Sequence, residues 1–284
     1  MKHLSVISCL LLITSVIASC EREQSINQRE GITMDERLLS IAARMDSIRN
    51  KKIFFGHQSV GNDVLEGLRL IAQEDSRFTV EIQSVGNGYV FDHPLLAHST
   101  IGENGNPKSK CDDFLKKMSN GLGKQVDIAF FKFCFVDINA FSNPSELFKY
   151  YQETIEPLKS AFPNVQFIHV TVPLMTRPIG LRSSLKRLLN DPKPDLDNIR
   201  RGEFNNLLRA FYQRKEPLFD LAAVEATYPD GRKKSFTHHS KSYFSLINEY
   251  TTDGGHLNTR GQYLAAKELL SLLADISCNK KVTN

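Results

Sequence analysis

Hydrophobic residues recur along this chain in two alternating rhythms. Short apolar runs at Lys52 to Phe55, Phe78 to Ser84, Val126 to Phe135, Val165 to Val170 and Leu218 to Leu221 have the length and continuity of buried strands. Between them lie stretches whose apolar positions fall three and four apart, the spacing that keeps one face of a helix apolar. These are Val60, Val64, Leu68 and Ile71; Ser109 to Ser119; a segment from about Ser145 with Phe148, Tyr151, Ile155 and Leu158 on one face; Arg200 to Arg214; and Arg260 to Ala274. Pro144 stands where a helix begins, since a first-turn residue has no use for its N–H. Strands apolar throughout, alternating with amphipathic helices, predict an α/β fold: a three-layer sandwich around a parallel sheet of five strands.

Three stretches interrupt the rhythm. A long connection carries Gly86, Gly88, Gly102 and Gly105, and connections of that length inside a domain are usually functional. From Leu174 to about Asn198 the chain is basic and punctuated by proline, an irregular excursion over the sheet. Glu225 to Tyr250 is polar with scattered aromatics, as expected of a lid. Lys132 stands inside the most apolar strand, where an ammonium needs a partner; Asp137, Asp127 and a loop carboxylate are the candidates, and capping the strand end is the other reading.

The first twenty residues are set apart. Lys2 and His3 precede an apolar run from Leu4 to Ala18 that is short for a membrane span and suits an export signal. Ile17-Ala18-Ser19-Cys20 resembles the bacterial lipobox, in which the cysteine is lipidated and becomes the first residue of the mature chain. The expected organisation is a signal over 1–19, a tether and N-terminal segment over 20–45, one α/β domain over 46–278 and a tail over 279–284. The expected localisation is the bacterial cell envelope, with the membrane reached through the anchor at Cys20. Of the remaining cysteines, Cys134 reads as a small core residue, while Cys111 and Cys278 are the pair open to bridging. A formal charge of +4 over 284 residues is too mild to follow a phosphate backbone, so nucleic acid is not an expected partner.

Candidate chemistry centres on Asp253-Gly254-Gly255-His256, which sets a carboxylate and an imidazole three residues apart. An ionised Asp can hold a His in one tautomer and stabilise the imidazolium it forms as a general base. The nucleophile suited to such a base is Ser59, in Gly56-His57-Gln58-Ser59-Val60-Gly61, where the first strand turns into the first helix. In parallel sheets that turn lies at the carboxyl edge, where ligands bind. A serine at that point also reads as a plain helix cap. His57 either bonds within the turn or shapes it. His238 and His239 read as surface residues, with a metal site shared with Asp253 as the alternative.

With these residues in place the chain resembles the SGNH, or GDSL-like, hydrolases. The resemblance spans roughly residues 50 to 275 and rests on Ser59 after the first strand, Asp253-x-x-His256, Asn258 and Gly261 leading into the last helix, and the β/α order between them. It implies a flavodoxin-like sheet, no metal or other cofactor, and hydrolysis or transfer of acyl groups with Ser59, His256 and Asp253 as catalytic residues. Two blocks depart from the family pattern. His57-Gln58-Ser59 stands for the usual Gly-Asp-Ser, and Cys134-Phe135-Val136-Asp137 stands for Gly-x-Asn-Asp, so Val136 replaces a side-chain donor of the oxyanion hole. The residues available to replace it or to line the site are the Ser59 N–H, Gly86, Asn87, Gly88, Gly102, Asn104, Gly105, His57 and Lys132. The expected activity is an esterase acting on an acylated small molecule or an envelope glycan. An acyltransferase of the same fold, or a glycan-binding module weak in catalysis, are the alternatives.

Overall fold

The computed structural model describes residues 36–177 and 193–278. The expected signal, Cys20, most of the tether, the middle of the basic excursion and the tail lie outside the described residues. The chain divides into residues 1–44, whose described part is a helix over 36–42, and residues 45–284, which hold every element below. Among the described residues, no helix is long and apolar enough to cross a membrane.

After α1 (Met45–Arg49) the chain forms β1 (Ile53–His57), α2 (Val60–Glu74), β2 (Ile82–Ser84), β3 (Leu96–Thr100), α3 (Pro107–Ser119), β4 (Ile128–Phe131), α4 (Pro144–Ala161), β5 (Gln166–Val170), α5 (Lys193–Tyr212), β6 (Leu218–Phe219) and α6 (Leu221–Ala226). A hairpin, β7 (Ser235–His238) and β8 (Lys241–Phe244), precedes α7 (Thr259–Cys278). The main sheet runs β2-β3-β1-β4-β5-β6, with every adjacent pair parallel. The winding reverses between β1 and β4, so the loops after those two strands meet at the switch point where α/β sheets bind ligands.

The sheet has six strands rather than five. The additional strand, β3, lies within the glycine-rich connection and pairs with β1 from Ile53↔Leu96 to His57↔Thr100. Its Leu-Ala-His-Ser-Thr sequence has no apolar run to announce it; two flanking strands and the helices above hold it. The stretch from Phe78 to Ser84 starts on the last residue of a 3₁₀ turn over Ser76–Phe78 and is strand only over the short β2, and the apolar run from Val126 pairs only over Ile128–Phe131. The expected lid contains the antiparallel β7–β8 hairpin, closed by His239 and Ser240, both at positive φ. Cys111, Cys134 and Cys278 are all free thiols, so the Cys111–Cys278 bridge is not formed.

Helices cover both faces. On one side α2 packs along α7, with α1 and α6 also against α7. Gly67 makes that crossing close: a Cβ there would lie 2.1 Å from the Gln262 carbonyl oxygen. On the other side α3, α4 and α5 enclose an aromatic core in which Phe114 meets Phe54, Phe131 and Phe167, and Phe204 meets Phe133, Phe148 and Tyr151.

Candidate active site

The β1 strand ends in a tight turn closed by the Gly61 N–H donating to the Gln58 carbonyl at 3.1 Å. Ser59 occupies the corner with φ 54° and ψ −119°, a left-handed geometry that glycine usually fills. Ser59 makes no side-chain cap to α2, so the helix-cap reading is set aside. Its hydroxyl instead lies 2.6 Å from His256 Nε2.

The turn is held from several sides. The Gln58 amide donates to the carbonyls of Ile101 and Gly102 at 2.7 and 2.8 Å, and the Gln58 carbonyl accepts from Cys134 Sγ at 3.5 Å. The His57 ring lies under the turn so closely that a Cβ on Gly61 would come within 2.4 Å of it. His57 Nε2 faces His98 Nδ1 at 3.0 Å, and its Nδ1 is buried with no partner among the described residues. Burial first, then the Lys132 charge and His98, push the His57 pKa down to about 3, which keeps the ring neutral. His57 therefore shapes the turn by packing and makes no bond to Ser59.

The other half of the site lies just before α7. His256 Nδ1 donates to Asp253 Oδ2 at 2.6 Å, which fixes the tautomer that leaves Nε2 free to accept the Ser59 proton. Asp253 Oδ1 also accepts the N–H groups of Gly255 and His256, each at 2.8 Å. The His256 bond, followed by those backbone donors, holds the Asp253 carboxyl well below the usual carboxylate range. The loop is pinned by Thr251 Oγ1, which accepts from Gly254 N, and by the Gly254 carbonyl, which accepts from Thr176 N. Asn258 caps α7 through the Gly261 N–H, and a Cβ on Gly261 would strike the Tyr250 carbonyl at 2.6 Å. The motif's Asn and Gly thus launch the helix behind the histidine. The His256 and Asp253 side chains are 46% and 53% exposed, so water reaches both.

Two contributors escaped the sequence reading. Asp63 Oδ2 accepts the Leu257 N–H at 2.9 Å and so ties the first turn of α2 to the histidine loop. Its position four residues after Ser59, on the same helical face, was the available signal. Phe135 sets its ring edge-on to His256 with centroids 5.4 Å apart, and Gly255 is the residue that admits it.

The glycine-rich connection divides. Gly86, Asn87 and Gly88 line a cavity whose lining includes neither Ser59 nor His256. The Gly102 and Gly105 N–H groups already donate to Asp113 Oδ2 and Asp137 Oδ1, at 3.1 and 2.8 Å, so neither amide is left for an oxyanion. Asn104 Oδ1 accepts from Lys110 Nζ at 3.0 Å; because an ammonium only donates, the Asn104 NH₂ must face away from it. Among the described residues that NH₂ and the Ser59 N–H have no hydrogen-bond partner. Val136 is 43% exposed and offers no donor.

Lys132 does not pair with Asp137. Asp137 Oδ2 accepts from the buried Lys110 at 2.6 Å and from Cys134 N at 2.6 Å, and Asp127 accepts from Lys52 N. Fully buried, Lys132 donates to the Phe133 carbonyl at 3.1 Å and approaches Cys134 Sγ at 3.7 Å, and burial lowers its pKa. Among the described residues no cluster of three or more His, Cys, Asp or Glu side chains is placed to hold a metal ion, and His238 and His239 sit at the β7–β8 turn.

No family model matches the chain, and no curated protein matches it. Among solved structures it is similar to a candidate platelet activating factor from Streptococcus pneumonia, at 15% identity over 88% of this chain and 98% of that one, with a TM-score of 0.45. It is also similar to an acetyl xylan esterase, at 16% identity over 77% and 97%, TM-score 0.45. A third is a carbohydrate acetylesterase from Sinorhizobium meliloti, at 11% identity over 80% and 99%, TM-score 0.41. At these scores the likeness transfers no chemistry.

Proposed function

We propose that this chain is a serine esterase of the SGNH-like type. The observation that carries the proposal is the continuous relay from Ser59 Oγ through His256 to Asp253, with both links at 2.6 Å, on a turn held in a geometry unusual for serine. In the reaction, Ser59 Oγ attacks an ester carbonyl as His256 Nε2 takes its proton. The tetrahedral oxyanion then collapses, and His256 returns the proton to the leaving alkoxide. Water, deprotonated by the same His256, attacks the acyl-serine, and the second tetrahedral intermediate releases the acid as His256 returns that proton to Ser59 Oγ. Asp253 stays ionised throughout and stabilises the imidazolium. The Ser59 N–H and the Asn104 amide serve the oxyanion in place of a donor at Val136; one such donor is worth about 10²–10³ in rate. The open exposure of His256 favours hydrolysis over transfer, because transfer needs water kept out.

The substrate class is an acyl ester of a carbohydrate or envelope glycan, reached from the membrane through a lipid on Cys20. Purified protein should release p-nitrophenol from p-nitrophenyl acetate, and Ser59→Ala should abolish that release while the protein remains folded. Unchanged turnover in Ser59→Ala would remove Ser59 as the nucleophile. The anchor is tested separately: Cys20→Ser protein should leave the membrane fraction, and its continued partitioning there would rule out lipidation at Cys20.

A further inference from the structure

The loop between β3 and α3 meets the nucleophile turn through a closed circuit of bonds. Gln58, next to Ser59, donates to the Gly102 carbonyl at 2.8 Å, and its own carbonyl accepts from Cys134 Sγ at 3.5 Å. Cys134 N and Gly105 N in turn both donate to Asp137, at 2.6 and 2.8 Å. Asn104 stands on the arc between Gly102 and Gly105, so its loop is tied at one end to the residue before Ser59 and at the other to the segment after β4. Asn104 and Gly105 form the tip of a turn that Asn106 N closes by donating to the Glu103 carbonyl at 3.2 Å, with Gly105 at φ 82°.

Behind that tip stands Lys110, fully buried on α3. Its Nζ donates to Asp137 Oδ2 at 2.6 Å and to Asn104 Oδ1 at 3.0 Å. Gly102 brings the loop down onto it, since a Cβ there would lie 2.6 Å from Lys110 N. The Lys110 and Asp137 side chains are both 0% exposed. A buried ion pair is a poor source of stability, because well-packed apolar residues of similar volume often serve as well or better. The third member gives the pair another use. An ammonium only donates, so it takes Asn104 by its oxygen and fixes which end of the carboxamide faces outward. Asn104 itself is exposed, and an exposed amide without that hold would rotate freely. A donor that stabilises an oxyanion must be oriented before the charge appears. The cation also draws charge from the amide and so strengthens its N–H groups as donors.

We propose that Lys110 is a positioning residue for the ester reaction: it holds the Asn104 carboxamide by its oxygen and presents the NH₂ to the oxyanion formed at Ser59. The inference rests on the esterase reading and deepens it. Turnover of p-nitrophenyl acetate by the full-length protein, per folded molecule, tests it. Asn104→Ala should lower kcat about a hundredfold and change KM about twofold or less, as expected when a contact made only in the transition state is lost. Lys110→Met should lower kcat about tenfold or more in the wild type but about twofold or less in Asn104→Ala, because a residue acting through another has nothing left to hold. Asn104→Asp keeps an acceptor for Lys110 but cannot donate, and should lose as much as Asn104→Ala. A second measurement leaves Lys110 in place: the ¹⁵N relaxation of the Asn104 side-chain amide, assigned by its disappearance in Asn104→Ala, should give an order parameter near that of rigid backbone, about 0.85. The assignment is overturned if the losses in Lys110→Met and Asn104→Ala multiply, if Asn104→Asp keeps wild-type kcat, or if the amide is mobile, with an order parameter below about 0.6. Turnover that survives Ser59→Ala unchanged would instead fail the esterase reading itself.

Discussion

The two helical layers that cover the sheet are built on opposite principles. The α3–α4–α5 side is filled with interleaved aromatic rings, Phe54, Phe114, Phe131, Phe133 and Phe204 among them. The α2–α7 side is drawn together by the absence of side chains: Gly67 lets α2 approach the backbone of α7, and Gly61 lets the Ser59 turn rest on His57. Ser59 begins α2 and His256 lies just before α7. The 2.6 Å contact between them is therefore set by how closely two helices cross, and Asp63 repeats the tie at the helix ends. One layer contributes mostly stability, and the other contributes stability and the register of the proposed reacting atoms.

Substitutions in the two layers should separate these roles. The largest stability effect is expected for Phe114→Ala, where a fully buried ring in contact with three others is deleted. Denaturant unfolding should show a loss of about 3–5 kcal/mol, while turnover of p-nitrophenyl acetate per folded molecule stays close to wild type. Gly67→Ala should destabilise less, about 1–3 kcal/mol from overpacking, yet lower kcat/KM about tenfold or more by moving α2 off α7. Wild-type turnover in Gly67→Ala, or a proportionate loss in Phe114→Ala, would erase the distinction.

The remaining effect concerns pH. Glu225 of α6, fully buried against the α2–α7 side, accepts the Leu174 N–H, and burial pushes its pKa up to about 8. The unfolded chain releases this proton at about 4.3, so between that value and 8 the folded state holds a proton that the unfolded state has lost. Stability should consequently fall as pH rises through that window. Glu225→Gln keeps an acceptor for Leu174 but cannot ionise, so its melting temperature should decline less than wild type between about pH 5 and pH 8. Parallel declines would show that Glu225 is not the group responsible.

Much of this was legible from residue order. Helices α2, α4 and α7 announce themselves by periodicity, and the Asp253-x-x-His256 spacing places carboxylate and imidazole for the bond they make. What was hidden depends on contacts between distant segments. Leu96–Thr100 looks like loop because its burial comes from neighbouring strands rather than from its own side chains. Asp137, one of the carboxylates open to Lys132, is taken by Lys110, and Lys110, on a helix of low overall apolarity, gives no sign in the sequence that it is buried. The glycines of the long connection read as one functional loop, yet Gly102 and Gly105 bind carboxylates while Gly86 and Gly88 line another cavity.

The corner at Ser59 carries a last implication, for descent rather than for mechanism. Its backbone geometry favours glycine, and a residue with a side chain held there costs about 1–3 kcal/mol locally. Drift constrained only by folding would therefore tend to replace Ser59. A lineage that no longer used the serine would be expected to show glycine at this corner while keeping Gly61 and Gly67, whose places are fixed by packing alone.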